Sequence, residues 1–262
     1  RSRMNAILQG ALWGKGYDPG HYANDNKDNR LDDSFDEKVA KAVRQLKADA
    51  YGETTSDATV TANVMKALLS MDQFVLLKNY GGDDFIRRWQ QSLNKKYETY
   101  TGLMPCDGVY ARGTNKALIY AIQAMEGIPD TSATGSFGPS TKRCLPRLPY
   151  DNVAKNYQGG TYDSVRILEF TELTRIALYC IGYGDGTTSG VYQQQTADLV
   201  ASFQKFYALE PTGVCDLGTW LSILSSCGDT DRPAQALDCA TLLDQAYIDL
   251  IKSNNYTTVG RY

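Results

Sequence analysis

Two turns in the sequence carry side chains that suit ligand recognition. Tyr110, Arg112 and Asn115 lie at the first turn, and Tyr192 and Gln193 lie at a second turn of closely similar sequence. Aromatic rings combined with guanidinium and amide groups recognise ligands that carry polar groups on an apolar frame. The rings of Tyr110 and Tyr192 could equally anchor the turns in the core, and the sequence leaves both interpretations open.

The cysteines give little sign of a metal centre. No pair has the spacing C-x-x-C and the chain has a single histidine, so we expect no zinc site. The chain has six cysteines, and this even number allows disulfides, for example Cys106–Cys144. Buried free thiols are an equal alternative, because Cys144 and Cys180 lie in apolar helical patterns.

Two stretches resemble ligand-binding loops only superficially. The acidic stretch 24–33 has the oxygen ligands that calcium prefers, but its spacing is not that of an EF-hand, which favours a solvated loop. The glycine-rich stretch 182–190 lacks the strand and the GxxxxGK[ST] pattern of a nucleotide-binding loop. We therefore expect no cofactor and no metal at either place. The aspartates concerned are Asp25, Asp28, Asp32 and Asp33.

Composition narrows the class of protein. Of the 262 residues 42% are apolar, which is typical of a globular chain, and no apolar run is long enough to span a membrane. The net charge is −3, and residues 79–150 carry nine basic and six acidic groups. No segment has the strong basic excess of a nucleic-acid binder, although the middle of the chain could favour an anionic partner weakly.

A repeated turn–helix pattern positions the candidate residues. The stretch 107–114 matches 189–196 without a gap, and 135–141 matches 213–219. The upstream stretch 32–39 occupies the same place in a more divergent copy. Behind the first turn, an apolar face at three- and four-residue steps predicts a helix that ends near Gly127. Its members are Ala117, Leu118, Ala121, Ile122 and Met125.

Self-similarity of this kind predicts an array of small modules. We expect three units of three helices each, at 1–78, 79–150 and 151–228, with a polar linker over 151–160. The remaining stretch, 229–262, differs from the modules. The predicted fold class is therefore mainly α, with small helical units that pack their three helices together.

Each unit resembles the bacterial peptidoglycan-binding module, a three-helix family. Asp107-Gly108, Tyr110 and Thr114 fit its first turn, and Val200, Phe203 and Gln204 fit the face of its central helix. The second turn fits residues 213–220, where Trp220 is expected in the core. The first unit is the most divergent, because its turn has no glycine and Val39 replaces the threonine.

The resemblance implies a non-catalytic array that binds peptidoglycan, either its glycan or its stem peptide, outside a bacterial cell. Several weak sites in one chain would gain affinity because the second contact is intramolecular. A structural or protein-binding spacer is the alternative, particularly for the divergent first unit. The ligand-binding residues implied are Tyr110, Arg112, Asn115, Tyr192, Gln193 and Gln204.

The stretch 229–262 resembles the first strand, helix and second strand of a glycoside-hydrolase-like (β/α)8 barrel. The resemblance implies that the chain is part of a longer protein, in which Asp238 is a candidate catalytic residue and Arg261 could join it. Asp238 could instead cap the following helix. A second carboxylate is needed for glycan hydrolysis, so we expect no such activity in this chain. Unpaired strand edges here would favour docking or self-association.

Overall fold

A computed structural model describes residues 3–20, 34–72, 74, 82–148, 155–156, 162–184, 186 and 190–226. This part of the chain is mainly helical, as predicted, with nine α-helices and two short strands. None of the described helices is long and apolar enough to cross a membrane. The elements in chain order are α1 (Arg3–Gly14), α2 (Glu37–Tyr51), α3 (Ala62–Leu69), α4 (Asp84–Thr101), α5 (Arg112–Met125), α6 (Pro139–Cys144), β1 (Pro146–Arg147), β2 (Lys155–Asn156), α7 (Ser164–Cys180), α8 (Gln194–Phe206) and α9 (Leu217–Ser226).

Local sequence signals explain where the helices begin and end. The carboxylate of Asp36 accepts hydrogen bonds from the backbone N–H groups of Lys38 and Val39, and so caps the start of α2. Gly52 ends that helix in the left-handed conformation, with φ of 73°, which costs glycine nothing. Asp83 and Asp163 cap α4 and α7 in the same way as Asp36.

The tertiary contacts divide the chain into two compact units. The N-terminal unit comprises 1–109 with 129–135, and the C-terminal unit comprises 110–128 with 136–262. In the N-terminal unit α4 packs on α2, where the Asn94 side chain donates to the carbonyl oxygens of Ala50 and Met104 at 2.9 Å. This division does not fall at the predicted boundary between 78 and 79, and the three-module boundaries stay a prediction.

The core of the N-terminal unit lies between α1, α2 and α3. Leu12, Val43 and Leu46 are fully buried there, and Val64 and Leu68 of α3 pack on them. Burial of such side chains stabilises a small domain by roughly 2 kcal/mol each.

In the C-terminal unit the helices α5, α8 and α9 pack around α7. Because α7 is covered on several sides, its buried residues include polar ones, and these find partners. The hydroxyl groups of Thr171 and Thr174 donate to carbonyl oxygens one turn earlier, and Arg175 donates to Thr196 Oγ1 at 3.0 Å. Trp220 is fully buried, as expected, and donates to the Pro146 carbonyl oxygen at 3.0 Å.

Strand pairing was not predicted. β1 and β2 form an antiparallel pair, with Pro146 opposite Asn156 and Arg147 opposite Lys155. Residues 155–156 therefore belong to a small sheet rather than to a plain linker over 151–160. A strand of two residues is too short to show alternating apolar and polar residues, so the sequence did not indicate these strands.

Several predictions lie outside the described residues. These are the four aspartates of stretch 24–33 and the βαβ interpretation of 229–262, including Asp238 and Arg261. Among the described cysteines, Cys106, Cys144, Cys180 and Cys215 are free thiols, so the alternative disulfide Cys106–Cys144 is not formed. No group of histidine, cysteine or acidic side chains in the described part of the chain could hold a metal ion.

The end of α8 contains a strained residue. Ala208 has φ of 55°, in the left-handed region that side chains other than glycine rarely adopt. The matching end of α5 uses Gly127, with φ of 80°. In both cases the residue after the turn donates to the carbonyl oxygen of a buried glutamine: Ile128 to Gln123 at 3.0 Å and Leu209 to Gln204 at 2.8 Å.

We predict that Ala208→Gly stabilises the C-terminal unit by about 1 kcal/mol, because glycine relieves the left-handed strain. Urea unfolding followed by circular dichroism measures the change. The matched control is Ala201→Gly, within the regular part of α8, which should destabilise by about 1 kcal/mol. If both variants lost the same free energy of unfolding, Ala208 would not be strained.

A second prediction concerns Asn94, which is fully buried and also accepts a hydrogen bond from the Met104 backbone N–H at 2.8 Å. Replacing Asn94 by Ala should lower the free energy of unfolding by about 3 kcal/mol, because it leaves buried backbone groups without partners. Gln45→Ala, at an exposed position of α2, is the control and should change the free energy by less than about 0.5 kcal/mol. A loss no larger than that of the control would contradict this role of Asn94.

Candidate functional site

The two tyrosines of the repeated turns are buried. Tyr110 is 6% exposed and its hydroxyl donates to Asn115 Oδ1 at 3.1 Å. Tyr192 is 1% exposed and its hydroxyl donates to the Gly213 carbonyl oxygen at 2.7 Å. Burial, with the nearby Cys215 thiol, raises the pKa of Tyr192, so the phenol stays a neutral donor. The structure thus places both rings in the core of their turns.

A buried glutamine joins each central helix to the turn that follows it. Gln204 Nε2 donates to the Val214 carbonyl oxygen at 2.9 Å and to Thr219 Oγ1 at 2.8 Å, while its Oε1 accepts from the Gly213 backbone N–H. Gln123 makes the corresponding bonds to the Ser136 carbonyl oxygen and Thr141 Oγ1, both at 3.1 Å. We call these two side chains the glutamine clamps. Gln204, predicted as a ligand-binding residue, is occupied in holding the fold.

One exposed candidate, Arg112, lies at the start of the outer face of α5. Arg112, Lys116 and Tyr120 stand one helical turn apart, so they form a continuous row. Lys116 Nζ lies 5.8 Å from the centre of the Tyr120 ring, within the range of a cation–π contact. We call this row the α5 strip. It combines two positive charges with a half-buried aromatic ring, and Lys116 and Tyr120 were not among the sequence predictions.

Asn115 connects the strip to the interior of the unit. It is half-buried, accepts from Tyr110, and its Nδ2 lies 3.5 Å from the Leu224 carbonyl oxygen. These contacts fix the first turn of α5, and with it the backbone that carries Arg112. Asn115 therefore has a positioning role whether or not it also touches a ligand.

The corresponding face of α8 has different chemistry. Continuing the gap-free alignment of the two turns, the positions of Arg112, Lys116 and Tyr120 are taken by Gln194, Asp198 and Ser202. Gln194 Nε2 donates to Asp198 Oδ1 at 2.7 Å, so two of these side chains bind each other. Gln193 is exposed at the start of α8. The second turn thus lacks the cationic and aromatic character of the α5 strip.

One buried acid in the C-terminal unit was missed by the sequence analysis. Glu126 follows α5, and neither of its carboxyl oxygens has a hydrogen-bond partner in the described structure. Burial raises the pKa of Glu126 to about 8. Burial, and after it the nearby charge of Glu126, raises the pKa of Tyr162 and of Cys144. A glutamate at a helix end is ordinary in sequence, so no pattern signalled its burial.

Because of Glu126, we expect the free energy of unfolding of the C-terminal unit to depend on pH. The folded state favours the neutral carboxyl, so its stabilising contribution is complete below the ordinary pKa of 4.5 and is lost as the pH rises to about 8. Glu126→Gln should therefore match the wild type near pH 5 and exceed its stability near pH 9 by on the order of 2 kcal/mol, allowing for partial solvent screening. Urea unfolding at both pH values measures this. Glu210→Gln, at an exposed site, should show no such pH-dependent gain.

Comparison with known proteins places the chain in a family. Residues 79–224, more than half of the chain, match the family model described as FadG/YbfG, PGDB-like domain. The chain is 42% identical over 264 residues to the uncharacterized protein YbfG of Bacillus subtilis (strain 168), and covers 32% of that protein. It is 36% identical over 258 residues to the uncharacterized protein FadG of the same organism, and covers 41% of it.

The chain thus spans less than half the length of either relative, although nearly all of the chain takes part in both matches. No solved structure matches it. The family match includes the two repeated turns, the glutamine clamps and the α5 strip, and leaves out residues 1–78. The chain belongs to the FadG/YbfG family of PGDB-like domains, a peptidoglycan-binding-like fold.

Proposed function

We propose that this chain is a non-catalytic peptidoglycan-binding domain and that the α5 strip contacts the ligand. Membership of a peptidoglycan-binding-like family supports the class of ligand. The observation that carries the choice of surface is the row formed by the exposed Arg112 and Lys116 and the half-buried Tyr120, with Lys116 Nζ 5.8 Å from the centre of the tyrosine ring. No comparable row follows the second turn.

The chemistry of the strip suits peptidoglycan. This polymer combines sugar rings, which have apolar faces, with peptides that end in carboxylates. A guanidinium group binds a carboxylate through two parallel hydrogen bonds, and an aromatic ring packs on an apolar sugar face. The strip provides one group of each kind and a second positive charge.

Binding through this strip is expected to be weak and sensitive to salt. Contacts between exposed charges contribute about 0–1 kcal/mol each and are screened at physiological ionic strength. A weak site is effective when several domains attach to the same polymer, because every later contact is intramolecular. Such a site fits a targeting part of a longer protein, which is consistent with relatives more than twice as long.

The same proposal assigns the longer protein a location at the bacterial cell wall, with any catalytic activity outside this chain. The predicted barrel start at 229–262 and its Asp238 belong to that part of the proposal. The turn before α8 is better suited to a scaffolding role, because Gln194 and Asp198 satisfy each other and Tyr192 is buried.

The test is co-sedimentation with purified peptidoglycan sacculi. Exchanging Arg112 and Lys116 together for Ala should weaken binding about tenfold, which corresponds to about 0.7 kcal/mol for each lost contact. The wild type should also bind less as salt is raised. Lys205→Ala, an exposed lysine at the end of α8, is the matched control and should bind like the wild type.

Three outcomes would contradict parts of the proposal. If the wild type stays in the supernatant, peptidoglycan is not the ligand. If the double variant binds as well as Lys205→Ala, the α5 strip is not the contact surface. If the purified chain releases reducing ends from sacculi, the domain is catalytic.

A further inference from the structure

A cluster of aromatic rings surrounds the end of α8. Phe203 is buried, and its ring centre lies 4.5 Å from that of Tyr207 and 5.4 Å from that of Tyr183. Phe206 lies edge-on to both tyrosines, at 5.3 Å from Tyr207 and 6.4 Å from Tyr183. We call Tyr183, Phe206 and Tyr207 the α8 shelf, with Phe203 as its base.

Phe206 is the unusual member of this cluster, since 65% of it is exposed to solvent. An isolated exposed apolar residue needs no explanation, but this ring is held by two aromatic neighbours above a buried third. Its orientation is therefore largely fixed before any ligand arrives. A fixed ring loses little conformational freedom when a ligand packs on it.

Comparison of the two central helices shows that the shelf is not a requirement of the fold. Counted from the glutamine clamps, Phe206 and Tyr207 correspond to Met125 and Glu126. This count is one residue out of step with the alignment of the turns, because α8 has 13 residues and α5 has 14. Met125 is 4% exposed, so it faces inward at the end of α5, whereas Phe206 faces solvent. The module can thus close its core without an exposed aromatic ring, and the shelf needs another explanation.

Tyr207 adds an unfilled hydrogen-bonding group to the shelf. Its hydroxyl has no hydrogen-bond partner within the described structure, although it is covered by its neighbours. Buried polar groups are nearly always paired, and none of the described residues pairs with this hydroxyl, which makes it a candidate partner for a ligand hydroxyl.

We propose that the α8 shelf is a second binding site, which takes an uncharged N-acetylhexosamine ring of a glycan chain. Pyranose rings present a flat face of C–H groups, which packs on an aromatic ring, and a rim of hydroxyl groups, which can pair with Tyr207. None of the three shelf side chains carries a charge, which matches a neutral sugar rather than a stem-peptide carboxylate. A partner helix with an apolar face is a poorer fit, because such a helix binds in a groove. The exposed part of this site is a single ring with tyrosines beside it.

The proposal rests on the proposed function for the class of polymer, but it does not depend on the α5 strip. The two surfaces bind chemically different parts of the same polymer. The strip takes the anionic peptide part and the shelf takes the neutral glycan part. Salt should therefore weaken binding to the strip and leave binding to the shelf nearly unchanged.

The experiment is a calorimetric titration of the full chain with a soluble β-1,4-linked N-acetylglucosamine tetramer, which has no peptide and no charge. The wild type should bind saturably, and Phe206→Ala should weaken binding at least about fivefold, the value of one aromatic contact. Phe206→Trp should retain binding, because it keeps a ring. Val165→Ala, which alters a 62% exposed side chain on α7, is the matched control and should bind like the wild type.

The outcomes separate the two proposals. If the wild type sediments with sacculi but does not bind the tetramer, the shelf proposal is wrong and the proposed function stands. If the tetramer binds but binding is equally strong in Phe206→Ala, the glycan site lies elsewhere and the shelf proposal is again wrong. If the tetramer binds through Phe206 while the α5 double variant behaves like wild type on sacculi, the shelf proposal holds and the strip fails.

Discussion

The C-terminal unit depends on side-chain amides that satisfy the backbone of its turns. Helices of this length are marginal on their own, and a compact unit must bury the turns between them. Buried peptide groups that lack partners are costly, so each turn needs a donor or acceptor from inside the unit. The glutamine clamps provide this. Gln204 binds a carbonyl oxygen, a hydroxyl and a backbone N–H, and Gln123 binds the first two of these groups.

This constraint fixes which side of each central helix is available for function. The clamp, the buried tyrosine and the apolar face occupy the inner side of α5 and of α8. The outer sides of the two helices differ. α5 presents a cationic and aromatic row, whereas α8 presents a glutamine–aspartate pair and, at its end, an aromatic shelf. The two helices thus present different chemistry on their outer sides.

The mainly helical class of the fold was predictable from sequence, because helices such as α5 have regular apolar faces. The periodic face of α5 and the glycine that follows it located this helix closely. The direction of individual side chains was less predictable. A tyrosine at a turn has the same sequence signature whether its ring is buried, as in Tyr192, or exposed. The packing of α4 on α2 depends on contacts between residues far apart in the sequence, which no local pattern records. The strands β1 and β2 are too short to show an alternating pattern.

The central claim is that the outer face of α5 contacts peptidoglycan. The most direct measurement is a titration of the isotope-labelled chain with a soluble muropeptide, a disaccharide carrying a stem peptide, followed by amide chemical shifts in NMR spectra. The proposal predicts that the largest shift changes fall at and around Arg112, Lys116 and Tyr120, while the amides near the buried Gln123 change little. Shift changes confined to the N-terminal unit, or no change at saturating muropeptide, would contradict it.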